Sequence, residues 1–405
     1  MKRILLLPLL GFLFAAAPFS AAEQGGSIET IVLQAKKSKK DKADDDGTAK
    51  PEKKGKAEKE VVRDPRKAAA AKKKEMREKG IKNVRVSSPS EWPKRIPVPK
   101  DITLHETGKS ADPQQPGFFY ASNHYNFFSQ VELTEAAQNM IGRLFECTYA
   151  ANQAISKVVP VPRCDVPRIE KNRYNVRLVK NQAEYAAQGG PDGSAGVFKH
   201  ATRVDATGKP FPIKQESDIA TDFVLVPLNA LGLDERARMV KPDIDTHTLV
   251  HEATHQNFVM NNMPIWANEG WAEYVGYVPY MGEELDFDRL FSQIVYKAQQ
   301  NAEALKCPFS LHDLMVMSQE EMYGYMGSRQ ADTYTVSVMT VAFFVHLDSK
   351  RGLEAIKAYM SALIEGTSNE EAVAELEKAY GGAEKLQKAF VQAWKRKKVT
   401  ISFPK

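Results

Sequence analysis

The chain has 405 residues, 43% hydrophobic and 26% charged, long enough for a sizeable core and one or two domains. Its net charge of +5 is uneven: residues 36–85 hold 20 Lys and Arg against 10 Asp and Glu, so the remainder carries −5. Three cysteines, an odd number, exclude a disulfide scaffold.

At the amino terminus, Met1-Lys2-Arg3, the apolar run 4–17 and Ser20-Ala21-Ala22 read as a secretory signal (residues 1–22) cleaved after Ala22. The mature protein is therefore expected to be exported, to a periplasm or beyond. The apolar run is short for a membrane span, and no later stretch is long and apolar enough for one, so no transmembrane segment is expected. Residues 23–86 are expected to be a basic, disordered linker, because 36–85 has scarcely any aromatic or β-branched residues with which to bury surface. Its basicity suits either salt-sensitive tethering to an anionic cell-envelope surface or plain solvation. An Ala/Lys/Glu-rich stretch at 66–79 has the composition of a transient helix. Nothing interleaves aromatics with the lysines, so no nucleic-acid partner is expected.

From residue 87 the pattern is that of a folded domain. Residues 92–99 read as an extended lead-in packed on the core, and 118–122 and 125–131 as strands. A long amphipathic helix opens at 132–135 and carries Met140, Ile141, Leu144, Phe145 and Tyr149 on its apolar face. Strands at 174–179, 196–199 and 222–227, with a short helix at 182–188, complete a sheet of four or five strands. The turn 189–193 lacks the Gly-Lys-Ser/Thr ending of a phosphate loop. After residue 280 the pattern is helical, with segments at 287–302, 310–317, 332–347, 352–364, 370–380 and 383–394; Ser368 and Glu371 fit a capping box. The Met and Tyr cluster at 315–326 suits either a substrate pocket or gap-filling core. An 87–280 mixed lobe followed by a 281–405 helical lobe is the expected division. Of the cysteines, Cys147 and Cys164 are the nearest candidates for a bridge, with Cys307 then a buried thiol; three unpaired thiols fit as well.

The chemistry lies in residues 246–277. On a helix His251 and His255 are one turn apart on one face, and Glu252 stands beside the first of them, the HExxH arrangement of a zinc site with a general base. A turn at 261–264, closed by Pro264, separates this helix from a second at 265–277. His255 lies seven residues before Asn262 and Glu269 seven after it, so in an antiparallel pair both stand about 10 Å from the turn. Glu269 can then complete a His, His, Glu set that leaves the fourth zinc position open for water. Glu273, one turn beyond, is expected to accept the free N–H of a ligand histidine. His247, one turn before His251, reads as a first-turn or rim histidine.

Together, His251-Glu252-Ala253-Thr254-His255 and Pro264-Ile265-Trp266-Ala267-Asn268-Glu269-Gly270-Trp271-Ala272-Glu273-Tyr274 resemble the gluzincin zinc metallopeptidases, and among them the peptidase MA-like bacterial domains. The motif covers about 30 residues, with weaker similarity in element order over 118–394. The connection from His255 to Glu269 is shorter than in the zinc aminopeptidases, and the Gly-x-Met-Glu-Asn motif is absent, which disfavours an aminopeptidase. The resemblance implies an α+β, thermolysin-like fold: a small mixed sheet beside the zinc helices, then a helical lobe. It implies Zn2+ on His251, His255 and Glu269, with Glu252 as general base. It also implies an edge strand, here 195–199, that pairs with a polypeptide substrate, and a tyrosine that stabilises the oxyanion, here Tyr334, with His312, Tyr323 and Tyr325 as rivals. The expected activity is hydrolysis of peptide bonds by an exported zinc metallopeptidase, more plausibly an endopeptidase. The alternative is a non-catalytic zinc protein that binds a partner and is tethered by its lysine-rich segment.

Overall fold

The computed structural model describes residues 29–30, 89–98, 106–109, 117–160, 173–191, 194–200, 223–241, 246–258, 263–278, 280–281, 284–300, 305–326 and 333–404. The signal, the basic linker apart from 29–30, Cys164 and the turn residues Asn261 and Asn262 lie outside them. Among the described residues no helix is long and apolar enough to cross a membrane.

The molecule is mixed α and β, helices predominating. Its larger sheet has seven strands: β1 (Glu29–Thr30), β3 (Glu106–Lys109), β4 (Phe118–Ala121), β5 (Tyr125–Ser129), β6 (Tyr174–Val179), β7 (Val197–His200) and β8 (Phe223–Pro227), in the order β1-β7-β8-β6-β5-β4-β3. The centre is parallel, with Phe127 beside Val176 and Val176 beside Val224, and the flanking pairs are antiparallel. Central parallel strands are covered on both faces, which is why β8 reads as a continuous apolar run. The sheet has two strands beyond the five expected segments, β3 and β1, which are too short or too polar to show periodicity. A second sheet, β2 (Arg95–Pro97), β10 (Glu284–Asp286) and β9 (Tyr280–Met281), ties the lead-in to the helical half. The lead-in packs as expected, with Trp92 and Val98 buried.

Two element ends are corrected. The strand expected at 125–131 stops at Ser129, and the helix expected from 132–135 begins at Glu135. Thr134 is its N-cap, accepting a hydrogen bond from Ala137 N, so residues 130–134 are connection rather than strand or helix. This helix, α1 (Glu135–Ser156), turns Ile141, Phe145 and Tyr149 to the sheet core and Cys147, Ala151 and Ile155 to the helical core. Burial pushes the Cys147 thiol up to about 12, so it stays protonated. A short α2 (Gln182–Ala187) follows β6.

The helices that carry the expected ligands are α3 (His247–Phe258) and α4 (Ile265–Gly276). Helical period sorts α3 by face: Leu249 and Ala253 enter the sheet core, while Phe258 joins the helical core. Gln256 Nε2 donates to the β6 carbonyl of Asn175 at 2.9 Å, and Asn257 Oδ1 accepts from Asn152 Nδ2 of α1 at 2.9 Å and from the Tyr125 hydroxyl at 3.2 Å. These buried and part-buried bonds hold α3 at the seam between the cores, each contributing about 1 kcal/mol.

The helical half comprises α5 (Phe287–Gln300), α6 (Leu311–Val316), α7 (Gln319–Met326), α8 (Thr333–Ala342), a π turn (Phe343–Leu347), α9 (Ser349–Ile364), α10 (Asn369–Lys378) and α11 (Ala383–Arg396). Met315, Met317 and Met322 are core residues, which favours the gap-filling reading of that cluster. Gly270 lets α4 and α8 touch: a Cβ there would lie 2.9 Å from the Ser337 carbonyl oxygen.

The expectation for strand 195–199 is also corrected. It runs from Val197 to His200, and on its outer side Lys199 and His200 pair with Thr30 and Glu29.

Candidate metal centre

Helices α3 and α4 bring the expected ligands together. His251 Nε2 lies 2.8 Å from His255 Nε2 and 3.1 Å from Glu269 Oε2, and His255 Nε2 is 3.5 Å from the same oxygen. All three residues are almost wholly buried. The seven-residue symmetry about Asn262 thus corresponds to a real juxtaposition across the helix pair.

Tautomers decide what this cluster wants. Asn268 Oδ1 lies 3.0 Å from His255 Nδ1, and a carbonyl oxygen only accepts, so Nδ1 carries the proton. Glu273 Oε1 lies 3.3 Å from His251 Nδ1, an ion-pair contact rather than an aligned hydrogen bond, and as an acceptor it favours the proton on that nitrogen too. Both Nε2 atoms then direct lone pairs at each other and at a carboxylate oxygen. Three acceptors converging without water repel unless a cation lies among them. The same electrostatics appear in the pKa of His251: burial lowers it, but Glu269 and Glu273 carry it up to about 10. Ligand atoms about 2.0–2.1 Å from a tetrahedral zinc stand about 3.3 Å apart, and the observed edges of 2.8, 3.1 and 3.5 Å straddle that length. The donor set therefore fits a metal ion.

Glu252 reaches β7 with one oxygen. Its Oε2 accepts the Phe198 backbone N–H at 2.7 Å, and its buried Oε1 has no hydrogen-bond partner among the described residues. Burial raises its pKa to about 7, against the lowering influence of the neighbouring histidines. Glu269 moves oppositely: burial would raise it, yet His255 and His251 hold it below the usual range.

Tyr334, at the start of α8, stands over the site, its ring centroid 6.1 Å from that of His251. Its hydroxyl is buried, and burial followed by the charge of Glu269 raises its pKa well above the ordinary value, so it remains a donor. Tyr323 of α7 is near the same carboxylates; burial and then Glu269 raise it too. The other rivals point elsewhere. His312 Nδ1 lies 2.8 Å from Glu377 Oε1, and Tyr325 packs edge-on against Phe309.

Three partners escaped the reading of the sequence: Asn268 on His255, the Phe198 N–H on Glu252, and His247, whose Nε2 is 3.2 Å from Glu273 Oε1. Only Asn268 had a local signal, being adjacent to Glu269. The other two are contacts across elements. The chain matches no protein-family model and no curated protein.

Proposed function

We propose that the chain is an exported zinc-dependent metallopeptidase, an endopeptidase, of thermolysin-like gluzincin arrangement. The observation that carries this reading is the convergence of His251 Nε2, His255 Nε2 and Glu269 Oε2, with a raised, half-satisfied Glu252 beside them. The resemblance of the two motif segments adds to it. Export is supported by the amino-terminal pattern alone.

In this reading His251, His255 and Glu269 would hold Zn2+, which when bound would supply Lewis acidity toward water and toward a carbonyl oxygen. Two imidazoles and one carboxylate with an open position suit zinc among the common divalent ions. Glu252 takes the proton of the attacking water on its free Oε1 and returns it to the leaving amine. The Phe198 N–H holds the other carboxylate oxygen, so Oε1 keeps its direction. Tyr334 donates its hydroxyl proton in a hydrogen bond to the oxyanion. The substrate is a polypeptide.

Metal content and casein hydrolysis, measured on wild type and Glu252→Gln, test the reading. The expected result is about one zinc per chain in both proteins, with hydrolysis in wild type reduced at least about a hundredfold in the variant. Zinc in both with hydrolysis in neither favours the binding role tethered through 36–85. A chain that takes up no metal sinks the reading.

A further inference from the structure

His247 does more than line the rim of the site. It opens α3 one turn before His251, and its side chain is 22% exposed. Its Nε2 lies 3.2 Å from Glu273 Oε1, and the same oxygen is 3.3 Å from His251 Nδ1. One carboxylate oxygen therefore lies between two imidazoles, hydrogen-bonded to His247 beside solvent and in ion-pair contact with the wholly buried His251. The seat of His247 is shaped for it. Gly276 ends α4 under the ring, where a Cβ would lie 2.7 Å from Cε1 and 2.8 Å from Nδ1 of His247. Tyr277 flanks it, ring centroids 4.4 Å apart. A side chain at position 276 would push the ring off Glu273.

We propose that His247 is a positioning residue: it holds the Glu273 carboxylate on the Nδ1–H of His251, so that His251 keeps its Nε2 lone pair toward the metal. The inference rests on the metal reading of His251, His255 and Glu269. His247, His251 and Glu273 also lie close enough together to suggest a second ion site, but the chemistry argues against one. A neutral imidazole has one lone pair. With His251 Nε2 on the first metal, a second ion at Nδ1 would require an imidazolate. The Glu273 oxygen between the two rings instead suits a hydrogen-bond acceptor, the usual arrangement behind a ligand histidine.

The test uses the full chain and zinc itself. Zinc affinity is measured by competition with a chromophoric chelator, and ligand geometry by the visible spectrum of the cobalt-substituted protein. Variants are H247A, H247Q, G276A and E273A, with circular dichroism to check that each folds. Wild type is expected to bind one zinc. H247A should bind it about tenfold more weakly, at the low end for partners of this kind, with a shifted cobalt spectrum. H247Q, whose amide can still donate to Glu273, should recover most of the affinity. G276A, with His247 intact but displaced, should weaken binding as H247A does. In an E273A background H247A should cost nothing further, since its action runs through that carboxylate. Unchanged affinity and spectrum in H247A overturn the inference while leaving the metal site standing, as does a second zinc that H247A removes. A wild type that binds no zinc overturns both.

Discussion

Glu252 and Glu269 are both wholly buried carboxylates on facing helices, and their surroundings drive them apart. Burial dominates at Glu252, pushing it up to about 7, whereas His255 and His251 overcome burial at Glu269 and keep it ionised. Paired carboxylates separated in this way are suited to different work, one to move a proton and one to hold positive charge. The two tyrosines divide less sharply. Tyr334 is the more deeply placed, and as a buried phenol with a raised pKa it keeps its proton and can donate it in a hydrogen bond near pH 7. In Tyr334→Phe, kcat should fall about a hundredfold with KM little changed, because the hydrogen bond is made in the transition state and not before it. A steady-state series on a peptide substrate checks this. A change confined to KM would assign Tyr334 to substrate binding.

The elements behind the site are tied by buried polar contacts as well as by packing. Trp92 Nε1 donates to the Tyr274 hydroxyl at 2.9 Å, and that hydroxyl lies 2.7 Å from His346 Nε2 in the π turn. Lead-in, α4 and π turn thus meet one residue along from Glu273. Burial lowers the His346 pKa to about 3, so the ring is neutral in the folded protein and can accept a hydrogen bond from the Tyr274 hydroxyl. An unfolded histidine titrates near 6.5. Between about pH 6.5 and 3 the unfolded chain therefore binds the extra proton, and stability falls as pH falls; above 6.5 the contribution is complete. At pH 5 the loss from this residue is about 2 kcal/mol. Thermal unfolding of wild type and His346→Gln across pH 5–8 tests it: the wild-type melting temperature should fall more steeply below pH 6.5 than that of the variant. Parallel curves would mean that His346 titrates normally.

Across the whole molecule, α3 is the joint. Leu249 and Ala253 belong to the sheet core, while Phe258 and most of α4 belong to the helical core. The converging ligands lie on this joint, so an ion bound there links two helices between the two cores. Binding to the folded state alone stabilises it by about 2.7 kcal/mol at a free metal concentration a hundred times Kd. Zinc should therefore raise the melting temperature and a chelator lower it, and His255→Ala should abolish the difference. Calorimetry with and without zinc reads this, and a wild-type melt indifferent to zinc would argue against a metal at the joint.

Much of the site was legible because its chemistry is local. His251, Glu252 and His255 are set by one helical turn, and Glu269 follows from a symmetric count about a turn, which the 3.5 Å approach of His255 Nε2 to Glu269 Oε2 matches. The longer strands and helices were legible for the same reason, since periods of 2 and 3.6 residues survive in the chain itself. Short pieces carried too few periods. Glu29–Thr30, Glu106–Lys109 and the sheet of β2, β9 and β10 owe their form to partners far along the chain, and α7 was hidden within a Met and Tyr cluster. Residue types and spacing by themselves determined which atoms form the cluster. Tertiary structure alone decided that Phe198 would hold one oxygen of Glu252, that His247 would reach Glu273, and that Thr30 and Glu29 would cover Lys199 and His200. Each of these is a contact between elements, set by how the cores pack rather than by the period of any one segment.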